Sequence, residues 1–169
     1  RYRQSQLAKE DERSLDGYLA ANLYDALPHS YVEPRLPDEE RVDNEPDNIG
    51  LLCGHIADEV AAGVQAGKGV LMTGADCNHM TAVFGGLQDA FGSGAKIGLV
   101  WFDAHGDFTT PRTSLSGMLG GMPVAVAAGL AFPRWRAAAH IAAPLPTDRI
   151  VMVDVRNLDP AEEQLVRAT

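Results

Sequence analysis

The sequence predicts an α/β fold built on a parallel sheet, and three observations carry that prediction. Short, mainly apolar runs occur at Val70–Thr73, Ile97–Phe102 and, within Arg149–Val155, at Ile150–Val153, with the length of strands buried in a parallel sheet. Between them lie segments whose apolar residues recur at helical spacing. Gly and Pro mark each change of period. Strand alternating with helix is the pattern of parallel strands joined by helical crossovers.

A chain of 169 residues is the size of one domain and can bury a core without disulfide or metal staples. Its 46% hydrophobic and 22% charged residues exclude a fibrous or fully disordered chain. The net charge of -9 argues against a general nucleic-acid binder and suits a small cationic substrate. No apolar run approaches the ~18 residues a membrane span requires, and Arg1–Gln6 leads into charge rather than a signal-peptide core. A cytoplasmic location is therefore expected, with no membrane partner. Cys53 and Cys77 sit in unlike contexts and form no disulfide framework, as in a reducing compartment. Neither a dinucleotide-binding nor a P-loop glycine pattern is present.

In chain order, Leu15, Tyr18, Leu19 and Leu23 predict a first helix behind Ser14 as a possible N-cap. Residues 30–48 carry Pro34, Pro37 and Pro46 among Asp38, Glu39, Glu40, Asp43, Glu45 and Asp47 and read as a solvated loop. A second helix begins near Asn48, with Leu52, Ile56, Val60 and Val64 as its buried stripe, and ends at Gly67 and Gly69. Val70–Thr73 is the first strand, stopped by Gly74. Met80, Val83, Phe84, Leu87 and Phe91 mark one face of the next helix, which Gly92-Ser93-Gly94 ends before the second strand, Ile97–Phe102. Pro123 opens an apolar helix running to Leu130. Trp135 reads as a buried indole flanked by the aliphatic stems of Arg134 and Arg136. After Pro144 and Pro146 comes the third strand, and Asp159-Pro160-Ala161-Glu162 supplies an N-cap, a first-turn proline and a capping-box acid.

Ligands in open α/β sheets bind at the carboxyl ends of strands. The second strand ends in Asp103-Ala104-His105-Gly106-Asp107, three potential ligands two residues apart, which an extended backbone would aim to one side. Two carboxylates and an imidazole suit Mn²⁺ or another divalent first-row ion. The alternative, helix-cap and turn residues, fits the strand-end position less well. His29, His55 and His140 have no neighbours at ligand spacing, apart from Asp58 and Glu59 near His55 on a helix.

These residues resemble the Asp-Ala-His-x-Asp signature of the ureohydrolase family, which includes arginase, agmatinase and formimidoylglutamase. The likeness continues through Thr109-Thr110-Pro111, Ser114 and Ser116-Gly117-Met118-Leu119-Gly120-Gly121-Met122-Pro123. Val70–Ala75 before Asp76 looks like the strand leading into the family's Gly-Gly-Asp-His, and Arg156–Glu162 looks like its Arg-x-x-Asp-Pro-x-Glu. The resemblance covers roughly residues 48–169. It implies a three-layer arginase-like fold with a parallel sheet flanked by helices, of which residues 1–169 look like one partial domain.

The resemblance further implies an amidinohydrolase acting on C–N bonds in linear amidines, with arginine or a modified arginine as substrate. Metal-activated hydroxide would attack the guanidinium carbon, with one or two Mn²⁺ as cofactor. It assigns Asp103, His105 and Asp107 to metal, with Asp107 and His105 as catalytic groups, and Thr109, Ser114 and Ser116 to substrate. A homo-oligomer, trimer or hexamer, is the assembly it implies. Three departures stand out. Cys77 occupies the place of the family's first histidine ligand and is expected to face the same metal, with His79 two residues on as the alternative ligand; a thiolate is softer than an imidazole. Gly120 and Met118 replace a histidine and an asparagine. The family's Ser-x-Asp-x-Asp motif is not found within these residues. Two alternatives follow from them: a hydroxyarginine hydrolase of antibiotic biosynthesis, or a non-catalytic relative acting as a binding or regulatory subunit.

Overall fold

A computed structural model describes residues 14–26, 28–73 and 76–169, with the side chains of Ser14 and Leu15 not included. The opening residues Arg1–Gln6, the N-cap role of Ser14 and the Gly74–Ala75 step before Asp76 lie outside what is described. The elements are α1 (Ser14–Ala20), α2 (Glu45–Gln65), α3 (Met80–Phe91), β1 (Leu99–Phe102), α4 (Pro123–Ala127), α5 (Pro133–Ala138), β2 (Ile150–Val153) and α6 (Pro160–Ala168). No described helix is long and apolar enough to cross a membrane.

The predicted α/β class is what the chain adopts. β1 and β2 pair in parallel, Leu99 opposite Ile150 through Phe102 opposite Val153, and α4 and α5 fall between them in the chain. Side chains alternate across the pleat. Leu99, Trp101, Ile150 and Met152 pack on Phe108, Val124 and Ala125, together with Leu165 and Val166 of α6. Val100, Phe102 and Val151 face the other way, at 69%, 74% and 58% exposure. Of the three layers implied by resemblance, the described residues thus form the sheet and one helical layer.

Val70–Thr73 is not a strand. It joins no ladder among the described residues, and Val70 and Leu71 are exposed. An apolar run becomes a strand only where a neighbouring edge takes its hydrogen bonds, and among the described residues β1 and β2 pair with each other but not with this run. The acidic loop also ends earlier than expected. Asn44 caps α2 by accepting from the Asp47 N–H at 3.1 Å, and Glu45, Pro46 and Asp47 form its first turn, where proline and acids are favoured. Asn48 is buried inside the helix and exchanges hydrogen bonds with the Val42 backbone at 2.9 and 2.8 Å.

The face of α3 differs as well. Its buried residues are Thr81, Ala82, Phe84, Gly85, Gly86 and Gln88, whereas Phe91 is exposed. Two glycines set this orientation. A Cβ on Gly85 would lie 1.8 Å from the Ala139 carbonyl oxygen, and one on Gly86 would lie 2.5 Å from that of Ala57. Close backbone approach, rather than the largest side chains, decides which side of α3 meets the core. That core gathers Ile49, Cys53, Ala82, Phe84, Met122, Val126, Trp135 and Leu145 from α2, α3, α4, α5 and the segment before β2.

Candidate metal centre

The site grows from the carboxyl end of β1. The Asp103 N–H donates to the Val153 carbonyl at 3.2 Å, which extends the parallel pairing by one residue. The chain then bends. Asp103 Oδ1 accepts from the His105 N–H at 2.9 Å and lies 3.2 Å from His105 Nδ1. Asp107 is left-handed, at φ 46°, a conformation that Asp tolerates better than most residues. Its carbonyl accepts from the N–H groups of Val124 and Ala125 at the start of α4, at 3.0 and 3.4 Å.

α6 fixes the same loop from the other side. Glu162 is buried and its Oε1 accepts from the Phe108 N–H at 2.8 Å, so it holds this loop in place of the expected capping box; the Asp159 side chain likewise makes no cap bond. Gly106 is required where Glu162 and Leu158 come close. A Cβ there would sit 2.9 Å from Glu162 Oε1 and 2.8 Å from Leu158 Cδ2.

Cys77 arrives on the short turn Cys77–His79 ahead of α3, capped by Asp76, whose Oδ1 accepts from the Asn78 N–H at 2.9 Å. The turn rests on a buried network. Thr81 Oγ1 donates to the Asn78 carbonyl at 2.7 Å and accepts from Trp135 Nε1 at 3.1 Å, and Cys53 Sγ approaches the same carbonyl at 3.6 Å. Trp135 is fully buried, as the sequence predicted. Both cysteines are free thiols.

These two approaches bring one ligand atom each from Cys77, Asp103 and Asp107 within 4.8 Å of one another. Asp107 is only 6% exposed, and its Oδ2 is buried with no hydrogen-bond partner. A buried carboxylate oxygen left unpaired is costly, and a cation removes that cost. The donor set of one sulfur and two carboxylates fits a divalent metal ion.

The electrostatics agree. Burial pushes the Asp107 carboxyl up to about 6; the Cys77 thiol and His105 pull against this, while Asp103 and Glu162 add to it. Cys77 is open to solvent as a residue, yet partial burial of its thiol pushes it up to about 12, with the charges of Asp107, Asp103 and Asp76 reinforcing the shift. Clustered acids that resist ionising together are relieved by a bound cation.

The remaining predicted site residues take more varied positions. Because the chain bends at 103–105, the extended alternation expected of Asp103, His105 and Asp107 is not how they are placed. The turn aims the two carboxylates at Cys77, while His105 stays exposed beside Asp103 and outside the three-ligand set. Thr109 is buried, and its hydroxyl donates to the Gly121 carbonyl at 2.7 Å. Ser114 Oγ accepts from the Gly117 N–H at 3.0 Å, and Ser116 Oγ from the Met118 N–H at 3.1 Å.

Sequence reasoning missed the role of Glu162, because a buried loop anchor and a capping acid look the same in one dimension. It also missed a surface cluster in which His140 Nδ1 lies 2.6 Å from Asp89 and 3.8 Å from Asp58. Its members come from α2, α3 and the turn after α5, so no local spacing announces it.

Fold and site together define an α/β protein with a candidate divalent-cation centre at the carboxyl end of a parallel strand. The chain belongs to the arginase family: the sequence model of that family matches residues 13–169. It is 30% identical over 149 residues to an arginase of Neurospora crassa, covering 82% of this chain and 41% of that protein. With an arginase of Bacillus caldovelox it shares 33% identity over 104 residues, covering 62% of this chain and 34% of the relative. The chain therefore spans about two-fifths or less of these two relatives' length. Among solved structures it is similar to an Entamoeba histolytica arginase in complex with L-ornithine, with a TM-score of 0.73 at 26% identity over 91% of this chain and 54% of the other. The native Bacillus caldovelox arginase structure matches with a TM-score of 0.68 at 27% identity, over 83% and 46% of the two chains.

Proposed function

We propose that the protein is a metal-dependent hydrolase that cleaves a C–N bond of a small guanidino compound, arginine or a modified arginine. One observation carries this reading: in a member of the arginase family, Cys77, Asp103 and Asp107 meet around a buried, unpartnered carboxylate oxygen. A cytoplasmic homo-oligomer, trimer or hexamer, belongs to the same reading.

Cys77, Asp103 and Asp107 would hold the ion, Mn²⁺ being the family expectation. Bound there, a divalent ion supplies Lewis-acid chemistry that makes water nucleophilic at neutral pH. The protein's own groups do the rest. The loop 103–108, tied to α4 and Glu162, keeps the carboxylates in register without reorganisation. His105 turns Nδ1 toward Asp103, which leaves Nε2 to carry a proton at the exposed rim. The acidic cluster and the net charge of -9 favour a cationic guanidinium at this edge. Ser114 and Ser116 accept backbone N–H groups, so their hydroxyl protons remain for a substrate carboxylate. Thr109 spends its proton on the Gly121 carbonyl, so only its oxygen is left for a substrate donor.

A second reading, a binding or regulatory relative without turnover, is favoured by Gly120 and Met118, which offer neither a proton carrier nor a hydrogen-bonding amide. Urea or hydroxyurea release from arginine, hydroxyarginine and other guanidino compounds separates the two. The purified protein with added Mn²⁺ is expected to turn over at least one of them, and Asp107→Asn to lower the rate by about 100-fold or more. Tight metal binding with no turnover across the panel would favour the binding subunit.

A further inference from the structure

We propose that Cys77 ligates the ion as a thiolate and shifts the centre's preference from Mn²⁺ toward a softer divalent ion, Zn²⁺ first. The inference rests on the reading of Cys77, Asp103 and Asp107 as the metal centre and adds which ion that centre selects.

Two independent observations support it. The first is geometric: Cys77 Sγ belongs to the mutually close ligand set, whereas the exposed imidazole of His105 does not. The turn presenting the sulfur is held at the Asn78 carbonyl by Thr81 and Cys53, with Trp135 donating to Thr81, so the Cys77 backbone is fixed within one rotatable bond of Sγ. The second is the buried Asp107 Oδ2, which lacks a partner and belongs to the carboxylate that Cys77 faces. A cation that satisfies this oxygen is within reach of the sulfur as well.

Ligand softness then decides the ion. Thiolates select Zn²⁺ and other softer ions, while sets made only of carboxylate and water suit Mn²⁺ and Mg²⁺. One sulfur with two carboxylates leaves the fourth position of a tetrahedral Zn²⁺ open for water or substrate, the arrangement of catalytic rather than structural zinc. Binding requires the Cys77 proton to leave to solvent as the metal enters; no oxidant or reductant takes part.

Almost any site of nitrogen and oxygen ligands prefers Zn²⁺ to Mn²⁺, so the absolute preference is not diagnostic. The response to substitution is. Metal-free protein is titrated with Zn²⁺, Mn²⁺ and Co²⁺, the last as a spectroscopic probe, alongside Cys77→Ser, Cys77→His and Asp107→Asn, with circular dichroism to check folding. The unmodified protein is expected to show a thiolate-to-cobalt charge-transfer band in the near ultraviolet. Cys77→Ser should lose the band and narrow the Zn²⁺-to-Mn²⁺ affinity ratio by about tenfold or more; Cys77→His should lose the band and regain Mn²⁺ binding. Ion binding that Asp107→Asn weakens, with no band and an unchanged ratio in Cys77→Ser, would overturn the thiolate while leaving the centre intact. Failure of the unmodified protein to bind any of the three ions would overturn the centre itself.

Discussion

Asp107 is the residue on which the account turns, because it is charged, buried and short of one partner. A carboxyl raised from 3.8 to about 6 binds its proton more tightly in the folded state than in the unfolded one. Without metal, this group weakens the fold fully above about pH 6, and the penalty is relieved as the pH falls through 6 toward 3.8. At neutral pH the penalty is on the order of 2–3 kcal/mol. Urea denaturation under chelator should therefore show Asp107→Asn more stable than the parent at pH 7 by about 1–3 kcal/mol, and flatter between pH 6 and 4. Excess divalent ion should reverse the order, since only the parent gains. Equal slopes in both proteins would remove the physical case for an unsatisfied charge at this position. The carboxylates were legible in the sequence through their place at a strand end. That Cys77 completes the set was legible only through a motif, because nothing local ties residue 77 to residues 103 and 107. The commitment of the Thr109 hydroxyl to Gly121 was not legible at all, since turn hydroxyls serve backbone and ligand alike.

At the level of elements, helical periodicity found α2 and α3, turn and cap signals found α4 and α6, and apolar runs found both described strands; the reading failed where tertiary partners decide. Val70–Thr73 has strand composition but joins no ladder among the described residues. In α3 the large apolar residues pointed to one face, yet Gly85 and Gly86 let α2 and the Ala139 segment approach on another. Small residues carry little hydrophobic signal, so a contact made through them is nearly invisible to periodicity. This contact matters to the site, because α3 begins immediately after the turn that presents Cys77. Gly85→Ala should cost at least about 1–3 kcal/mol in urea denaturation, given a methyl group placed 1.8 Å from a backbone oxygen. Gly94→Ala, with open space around it, should stay within about 0.5 kcal/mol. Equal effects would mean that α3 does not pack through its glycines.

At the scale of the molecule, the described residues place helices on one face of the sheet and leave Val100, Phe102 and Val151 exposed on the other, in a chain that spans 41% and 34% of the Neurospora crassa and Bacillus caldovelox arginases. What the whole arrangement achieves is local: α3 supplies its leading turn, β1 its end, and α4 and α6 the clamps, so that three donor groups meet at one place. If those donors hold an ion, its coordination shell must contain sulfur, and X-ray absorption of the zinc-loaded protein reads this directly. The account predicts one sulfur at about 2.3 Å with the remaining ligands, oxygen or nitrogen, at about 2.0–2.2 Å, and loss of the sulfur shell in Cys77→Ser. A zinc shell of oxygen and nitrogen alone in the unmodified protein would contradict it.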